Sequence, residues 1–450
     1  MALFLVLMGY IIYFNLEKSQ DIINSSYNPR LDSMADRVVR GKILDKDGNV
    51  LAETTTAEDG SEYRYYPYGN LYAHVVGFSS QGKSGLESAE NFELLTSHAF
   101  FLEKLKNEFQ DEKNIGDNVI TTLNTQLQEA AYNALGSYKG AVVVLEPSSG
   151  KILAMVSKPD FDPNTVAENW EFLSTDENSY LLNRATQGAY APGSTFKLVT
   201  ALEYMREHGD YNAYGYTCQG EITYDGVTIA CAGHNVHGDV SLASSLAYSC
   251  NTSFSNIGLQ LDIERYRDTA ETLLFNSKLP CELPYSQSSF TLESSDSSAD
   301  RMMTAMGQGK TETSPYHMAL ITSAIANHGT LMRPYLVDAI TNYSGEIVEN
   351  TEPEEYKKLM SEEEAEQLKS YMQEVVNYGT ASVLSGQGYT VAGKTGTAEY
   401  SSDIEKNHSW FVGFTNVDNP ELAICVLIES SDGQVKAVNV AKEIFDSYYY

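Results

Sequence analysis

Two unbroken apolar runs constrain the fold of this chain more than any other feature: Ala141-Val142-Val143-Val144-Leu145 and Ile152-Leu153-Ala154-Met155-Val156. A strand with one wet face alternates apolar and polar residues, whereas a run without alternation belongs to a strand covered on both faces. Between them Glu146-Pro147-Ser148-Ser149-Gly150-Lys151 carries the Pro and Gly of a tight turn, so the pair is expected to be antiparallel and central. Three further strands are expected only near the far end, at Thr390–Ala392, Ser409–Phe414 and Leu422–Leu427. Helices are expected at Gln126–Leu135, from a capping box formed by Ser361 and Glu364 to about Tyr378, where Gly379 stops it, and from about Val440 to Tyr448. The pattern is an α/β (α+β) fold: a central antiparallel sheet, first strands early, last strands late, with helices inserted between.

Residues 15–116 read as a separate small α+β module and 117–450 as the main domain. In the module, Val38–Leu44 and Val50-Leu51-Ala52 flank Asp47-Gly48-Asn49 as a hairpin, and Phe92–Phe109 is expected as one helix. The run Ala2–Phe14 is apolar on every face, yet as a helix it spans only about 20 Å against a hydrocarbon core of ~30 Å. It has neither the positive flank nor the cleavage site of a signal peptide. Residues 1–14 are therefore read as a membrane anchor cut short at its start, with the rest of the chain outside the cytoplasm.

Lys and Arg number 30 against 61 Asp and Glu, a net charge of −31, and no basic cluster stands out against it. Nucleic acid is excluded as a ligand, since phosphate binding rests on a positive surface. The five cysteines, Cys218, Cys231, Cys250, Cys281 and Cys425, fit no disulfide-dense scaffold. Cys218, Cys231, His234 and His237 could in principle form a zinc set, but a dozen residues separate the two sulfurs where zinc sites usually place them a few apart. A Cys218–Cys231 disulfide or two buried free thiols is the expectation, with no metal and no cofactor. Cys250 reads as a packed thiol.

The chemistry begins at Ala191-Pro192-Gly193-Ser194-Thr195-Phe196-Lys197. Pro192 and Gly193 end a loop, and Phe196, Val199, Leu202 and Met205 give a helical apolar face, so Ser194 falls in a first turn. Unpaired N–H groups and the positive helix end there can stabilise an oxyanion formed when the hydroxyl attacks a carbonyl. Lys197, three residues on, lies on the same side. It acts as a base only when neutral, which at pH 7 costs about 4 kcal/mol against its ordinary pKa. Ser80-x-x-Lys83 and Ser148-x-x-Lys151 share the spacing but fall in Gly-containing turns. Ser249-Cys250-Asn251 adds a hydroxyl and an amide, and Ser26-x-Asn28 is its decoy. Lys394-Thr395-Gly396-Thr397 adds a fixed positive charge, two hydroxyls suited to a carboxylate, and a glycine that lets a ligand backbone approach.

This ordered trio resembles that of serine β-lactamases and penicillin-binding proteins. Arg40-Gly41, Asp45 to Ala52, Gly85-Leu86-Glu87, Glu146 to Pro159, Asn183-Arg184-Ala185, Gly307-Gln308-Gly309 and Trp410-Phe411-Val412-Gly413 extend the likeness over most of the chain. The chain is similar to class B penicillin-binding proteins. The resemblance implies a penicillin-binding transpeptidase fold with an all-helical subdomain, on a dimerisation-type pedestal. It implies that Ser194 attacks the bond between two D-alanines of a peptidoglycan stem peptide, that Lys197 takes its proton, and that Ser249 and Lys394 relay a proton to the leaving D-alanine. Asn251 would hold the donor peptide and Thr395, Gly396 and Thr397 its carboxylate end, with the N–H groups of Ser194 and Thr397 as oxyanion hole. β-Lactams would acylate the same serine, and a glycan-polymerising partner of the SEDS family is implied. The alternatives are a β-lactamase or D,D-carboxypeptidase, and a non-catalytic β-lactam sensor or wall-synthesis scaffold.

Overall fold

The computed structural model describes residues 2–17, 34–399, 407–431 and 436–450. Ser26 and Asn28 lie outside them. The chain forms two compact units, one of Met1–Thr122, Asp160–Glu177 and Val337–Glu352, the other of Leu123–Pro159, Asn178–Leu336 and Pro353–Tyr450.

In the second unit the two apolar runs become β1 (Gly140–Leu145) and β2 (Ile152–Lys158), antiparallel, with every residue of both buried. The late strands are β3 (Val391–Glu399), β4 (Asn407–Thr415) and β5 (Ala423–Ser431), and the order across the sheet is β3-β4-β5-β1-β2. A sheet without alternation needs cover on both faces. Helices Thr125–Leu135 and Ala437–Tyr449 pack together on one. The other takes a helix buried along its whole length, Pro315–Ala326. Between β2 and β3 the chain builds a mainly helical layer that includes α1 (Lys197–Glu207) and α2 (Asn251–Gln260). The capping box at Ser361 and Glu364 opens Glu362–Asn377 as the sequence indicates. β3 stands at the sheet edge, so one side of its backbone faces away from the other strands.

The first unit holds a six-stranded sheet, to which Val337–Thr341 and Ile347–Asn350 contribute the last two strands. Its interior contains an ion cluster. Glu87 accepts from Arg40 Nε at 2.6 Å and from Arg64 Nε at 2.7 Å, and its carboxylate side chain is fully buried. Arg40 also donates to Asn91 Oδ1 at 2.5 Å, and Arg64 to the Gly41 carbonyl at 2.6 Å. Burial alone would raise the pKa of Glu87, but the two guanidinium ions outweigh it and hold the carboxylate below its usual value.

Two local expectations change. The single helix at Phe92–Phe109 is two, Asn91–Leu95 and Phe101–Gln110. Thr96 is extended because its carbonyl accepts from Asp117 N at 2.8 Å, while His98 N donates to Asp117 Oδ1 at 2.9 Å. The strand at Val38–Leu44 is likewise split: Val38–Val39 pairs with Asn114–Ile115, and only Ile43–Leu44 enters the hairpin with Val50–Thr56. The N-terminal run forms a helix, Ala2–Glu17, and among the described residues no helix is long and apolar enough to cross a membrane.

Candidate active site

The segment carrying Ser194 is a 3-10 turn, Gly193–Phe196, that runs directly into α1 at Lys197. Two bonds to distant parts of the chain and one local bond fix it. Gly193 N donates to the Gly307 carbonyl at 2.8 Å, Trp410 Nε1 on β4 donates to the Ala191 carbonyl at 3.1 Å, and Thr195 Oγ1 donates to the Pro192 carbonyl at 2.7 Å. Gly193 has φ +55°, and a Cβ there would stand 2.5 Å from the Thr397 carbonyl oxygen, so the turn lies directly against β3. Ser194 is half-buried, whereas Thr195 and Lys197 are fully buried.

The two lysines meet on one hydroxyl. Lys197 Nζ donates to Ser249 O at 2.8 Å, to Asn251 Oδ1 at 2.7 Å and to Ser249 Oγ at 3.3 Å. Lys394 Nζ donates to the same Ser249 Oγ at 2.9 Å and to the Thr395 carbonyl at 2.9 Å. Ser249 is held in the left-handed region at φ +56°, a conformation that costs a non-glycine residue of order 1 kcal/mol and needs surrounding structure to sustain it. That structure is the end of the preceding helix and the start of α2: Ser249 N donates to Leu246 O at 3.1 Å and Cys250 N to Ser245 O at 2.9 Å.

Both amines are fully buried, and no carboxylate among the described residues bonds to either. Burial therefore disfavours the ammonium form. The Lys197 amine is brought down to about 7 by burial, opposed by the nearby Cys250 and Cys231 sulfurs. Lys394 is pushed well below its ordinary value by burial and by the charge of Lys197. Two ammonium ions cannot comfortably share one hydroxyl, so the pair favours at most one proton too many at a time.

The sequence-derived residues thus fall into one place, with refinements. Lys197, Ser249, Asn251 and Lys394 form one hydrogen-bonded group. The Lys197 amine turns to Ser249 and Asn251, and among the described residues it makes no hydrogen bond to Ser194. The amide of Asn251 is engaged at both ends, since its Nδ2 donates to Ala230 O at 3.0 Å. Gly396 gives room to protein: a Cβ there would stand 3.0 Å from Thr195 Cγ2 and from Trp410 Cβ. Thr395 and Thr397 present backbone groups off the sheet, because their carbonyls accept from Lys394 Nζ and from Gln308 Nε2 (3.3 Å), and in a strand a residue's N–H points the same way as its C=O.

Trp410, Gln308 and Thr380 are site residues to which local pattern assigns no role. Thr380 Oγ1 lies 2.5 Å from Thr395 Oγ1, and nothing in its sequence surroundings beyond the helix-ending Gly379 marks it. All five cysteines are unbridged. Next to Ser249, the ligand atoms of Cys218, Cys231, His237 and Cys250 lie within 4.8 Å of one another, while His234 points into solvent.

Two family profiles match the chain: "Penicillin binding protein transpeptidase domain" over residues 140–448 and "Penicillin binding protein A dimerisation domain" over residues 40–119. The chain belongs to the penicillin-binding protein transpeptidases. Within this family it is 33% identical to the peptidoglycan D,D-transpeptidase PbpA of Mycolicibacterium smegmatis, over 89% of this chain and 86% of that protein. The D,D-transpeptidase domain of a peptidoglycan glycosyltransferase from Eggerthella lenta superposes with a TM-score of 0.81 at 31% identity, covering 92% of this chain and 98% of that one. Penicillin-binding protein A of M. tuberculosis, solved as an imipenem acyl-enzyme complex, superposes with a TM-score of 0.84 at 29% identity, covering 93% of this chain and all 100% of that one. The fold class expected from the sequence is the one these structures share.

Proposed function

We propose that the chain is a peptidoglycan D,D-transpeptidase that works through an acyl-enzyme on Ser194 and is inhibited covalently by β-lactams. The observation that carries the reading is the Ser249 hydroxyl, which receives Lys394 at 2.9 Å and Lys197 at 3.3 Å beside the serine turn, with burial bringing the Lys197 amine down to about 7.

Ser194 Oγ attacks the carbonyl carbon between the two terminal D-alanines of a stem peptide, and its proton passes to Lys197 Nζ. The developing oxyanion is met by the N–H groups of Ser194 and Thr397, the second of which faces off the β3 edge. The C–N bond then breaks, and the departing D-alanine amine takes a proton relayed through Ser249 Oγ, with Lys394 as its second partner. The amine of a neighbouring stem peptide attacks the ester, gives up its proton and returns Ser194 to the hydroxyl form. Thr395 and Thr397 suit the donor's terminal carboxylate, and Asn251 its peptide bond once its amide is released from Ala230. A β-lactam carbonyl enters the same sequence, its ring amide taking the place of the scissile bond.

The reading extends to place. The helix Ala2–Glu17, apolar from Ala2 to Phe14, supports an N-terminal membrane anchor, with residues 15–116 as a pedestal and residues 117–450 as an extracytoplasmic catalytic domain beside a SEDS-type glycan polymerase. Labelling of intact cells with a fluorescent penicillin, followed by peptide mapping, tests site and compartment together. A stable adduct on Ser194, lost in Ser194→Ala, is expected. An adduct on another residue would overturn the site, and rapid release of the adduct would make the enzyme a hydrolase.

A further inference from the structure

We infer that Cys218, Cys231, His237 and Cys250 bind one zinc ion, and that this ion fixes the loop carrying Ser249 and Asn251. The second half of the inference rests on the catalytic reading above; the first does not.

Three of the six separations between the ligand atoms match a closed tetrahedral site, and all six lie within 4.8 Å. With zinc–sulfur bonds of about 2.3 Å and zinc–nitrogen bonds of about 2.0 Å, a tetrahedron has sulfur–sulfur edges of about 3.8 Å and sulfur–nitrogen edges of about 3.5 Å. Here Cys218 Sγ is 3.7 Å from Cys231 Sγ, Cys231 Sγ is 3.8 Å from Cys250 Sγ, and Cys218 Sγ is 3.4 Å from His237 Nδ1. Those sulfur separations are nearly twice a disulfide bond. Three thiolates and an imidazole are a set that zinc takes in structural sites, and soft sulfur disfavours magnesium or calcium.

Three separate pieces of backbone bring the ligands together, which is why spacing along the chain conceals them. Strand Tyr216–Cys218 pairs with Gly238–Val240 so that Cys218 stands opposite Gly238, the residue after His237. Cys231 follows the hairpin of Glu221–Tyr224 and Val227–Ala230 and is tied back by its N–H to Gly220 O at 2.8 Å. Cys250 is the N-cap of α2. The three sulfurs are buried, with exposures of 0%, 3% and 0% in chain order. Around them stand the groups a metal site recruits to support its ligands. Thr252 Oγ1 lies 3.2 Å from Cys218 Sγ and 3.3 Å from Cys250 Sγ, and Ser253 N donates to Cys250 Sγ at 3.5 Å. The His237 ring stacks on Tyr248, centroids 5.5 Å apart and planes 6° apart, which sets its orientation.

Binding replaces the thiol protons by the metal, and those protons leave to solvent. The ion makes no contact with the reacting atoms. Its effect passes through Cys250, which sits between the hydroxyl shared by the two lysines and the amide of Asn251. A four-bond anchor there holds Ser249 in its left-handed conformation and ties it to the strand pair and the hairpin.

The test uses the full chain purified under reducing conditions, with elemental analysis and cobalt(II) exchange. About one zinc per chain is expected, with cobalt giving thiolate charge-transfer bands and the d–d absorption of a tetrahedral site. Cys231→Ser and His237→Ala should lose the metal, while His234→Ala and Cys281→Ser keep it. Less than a tenth of an equivalent after incubation with zinc, or retention by Cys231→Ser and His237→Ala alike, overturns the site. Chelated protein should still be labelled by penicillin on Ser194, but roughly tenfold to a hundredfold more slowly, and zinc should restore the rate. An unchanged rate overturns the positioning role alone. Ser194→Ala should keep its zinc and lose all labelling, so failure of the catalytic reading and failure of the metal site give different results.

Discussion

The molecule contains two buried clusters of charged residues, and they resolve the cost of burial in opposite ways. In the first unit, Glu87 is enclosed by Arg40 and Arg64, so charge meets charge and the carboxylate is held below its usual pKa. In the second, Lys197 and Lys394 are equally enclosed but meet only hydroxyl, amide and carbonyl oxygens, and both are driven toward neutrality. A structural cluster brings the counter-charge in with it. A cluster that must exchange protons leaves the counter-charge out, and burial becomes the means of setting its pKa.

The sharpest way to break this contrast is to remove one member of each. Lys197→Met should slow acylation by penicillin by about 10²–10⁴-fold, because it removes the base. It should leave thermal stability unchanged or slightly higher, since no partner charge is orphaned. A large loss of stability would mean that the lysine is a structural ion after all. Glu87→Gln should do the reverse, leaving two guanidinium ions without their carboxylate at a cost of about 3–5 kcal/mol. Native-state hydrogen exchange across Val38–Thr122 reads that loss, and the acylation rate of the folded fraction should not move.

The pH responses should also diverge. Acylation should fall about tenfold per pH unit below about 7, as Lys197 gains a proton, and level off above it. For stability, Lys197 has a folded pKa below its unfolded value, so the unfolded chain holds more protons between about 7 and 10.4 and this group makes the fold more stable as pH rises through that window. Glu87 has its folded pKa lowered, so its contribution is present above the ordinary carboxylate value and is lost as pH falls through the lowered one. Coincident stability profiles for Lys197→Met and the parent chain above pH 7 would remove the lysine from this account. The smallest expected effect is that of Trp410→Phe, which deletes the bond to Ala191 O and should lower the acylation rate about fivefold, near 1 kcal/mol, without changing the labelled residue.

How far the sequence discloses these regions follows from how local their causes are. β1 and β2 are legible because an uninterrupted apolar run has few other uses, and Ser361 with Glu364 because a capping box is complete within four residues. Ser194 and Lys197 are legible as a pair because one turn holds both. The meeting of Lys197 with Lys394 on Ser249 is written only as three motifs far apart, and their convergence is a property of the packed layers. The break at Thr96 is set by Asp117, well along the chain, so a helical pattern across it misleads. The cysteine group fails the spacing test for a related reason: the hairpin that brings Cys218 and Cys231 together lies between them in the chain, and Cys250 belongs to another motif altogether.

The outer edge of β3 has one more consequence, for what can and cannot attach there. An exposed strand edge offers donors and acceptors in alternation, and that alternation is what lets a second copy zip on and start an aggregate. Here the acceptors of Thr395 and Thr397 are already taken, by Lys394 and Gln308. What the edge offers most freely at those residues is donors. A neutral strand needs donors and acceptors alike, while a group gathering negative charge needs only donors, so the edge as these two side chains leave it suits a reacting carbonyl better than a second copy of the chain.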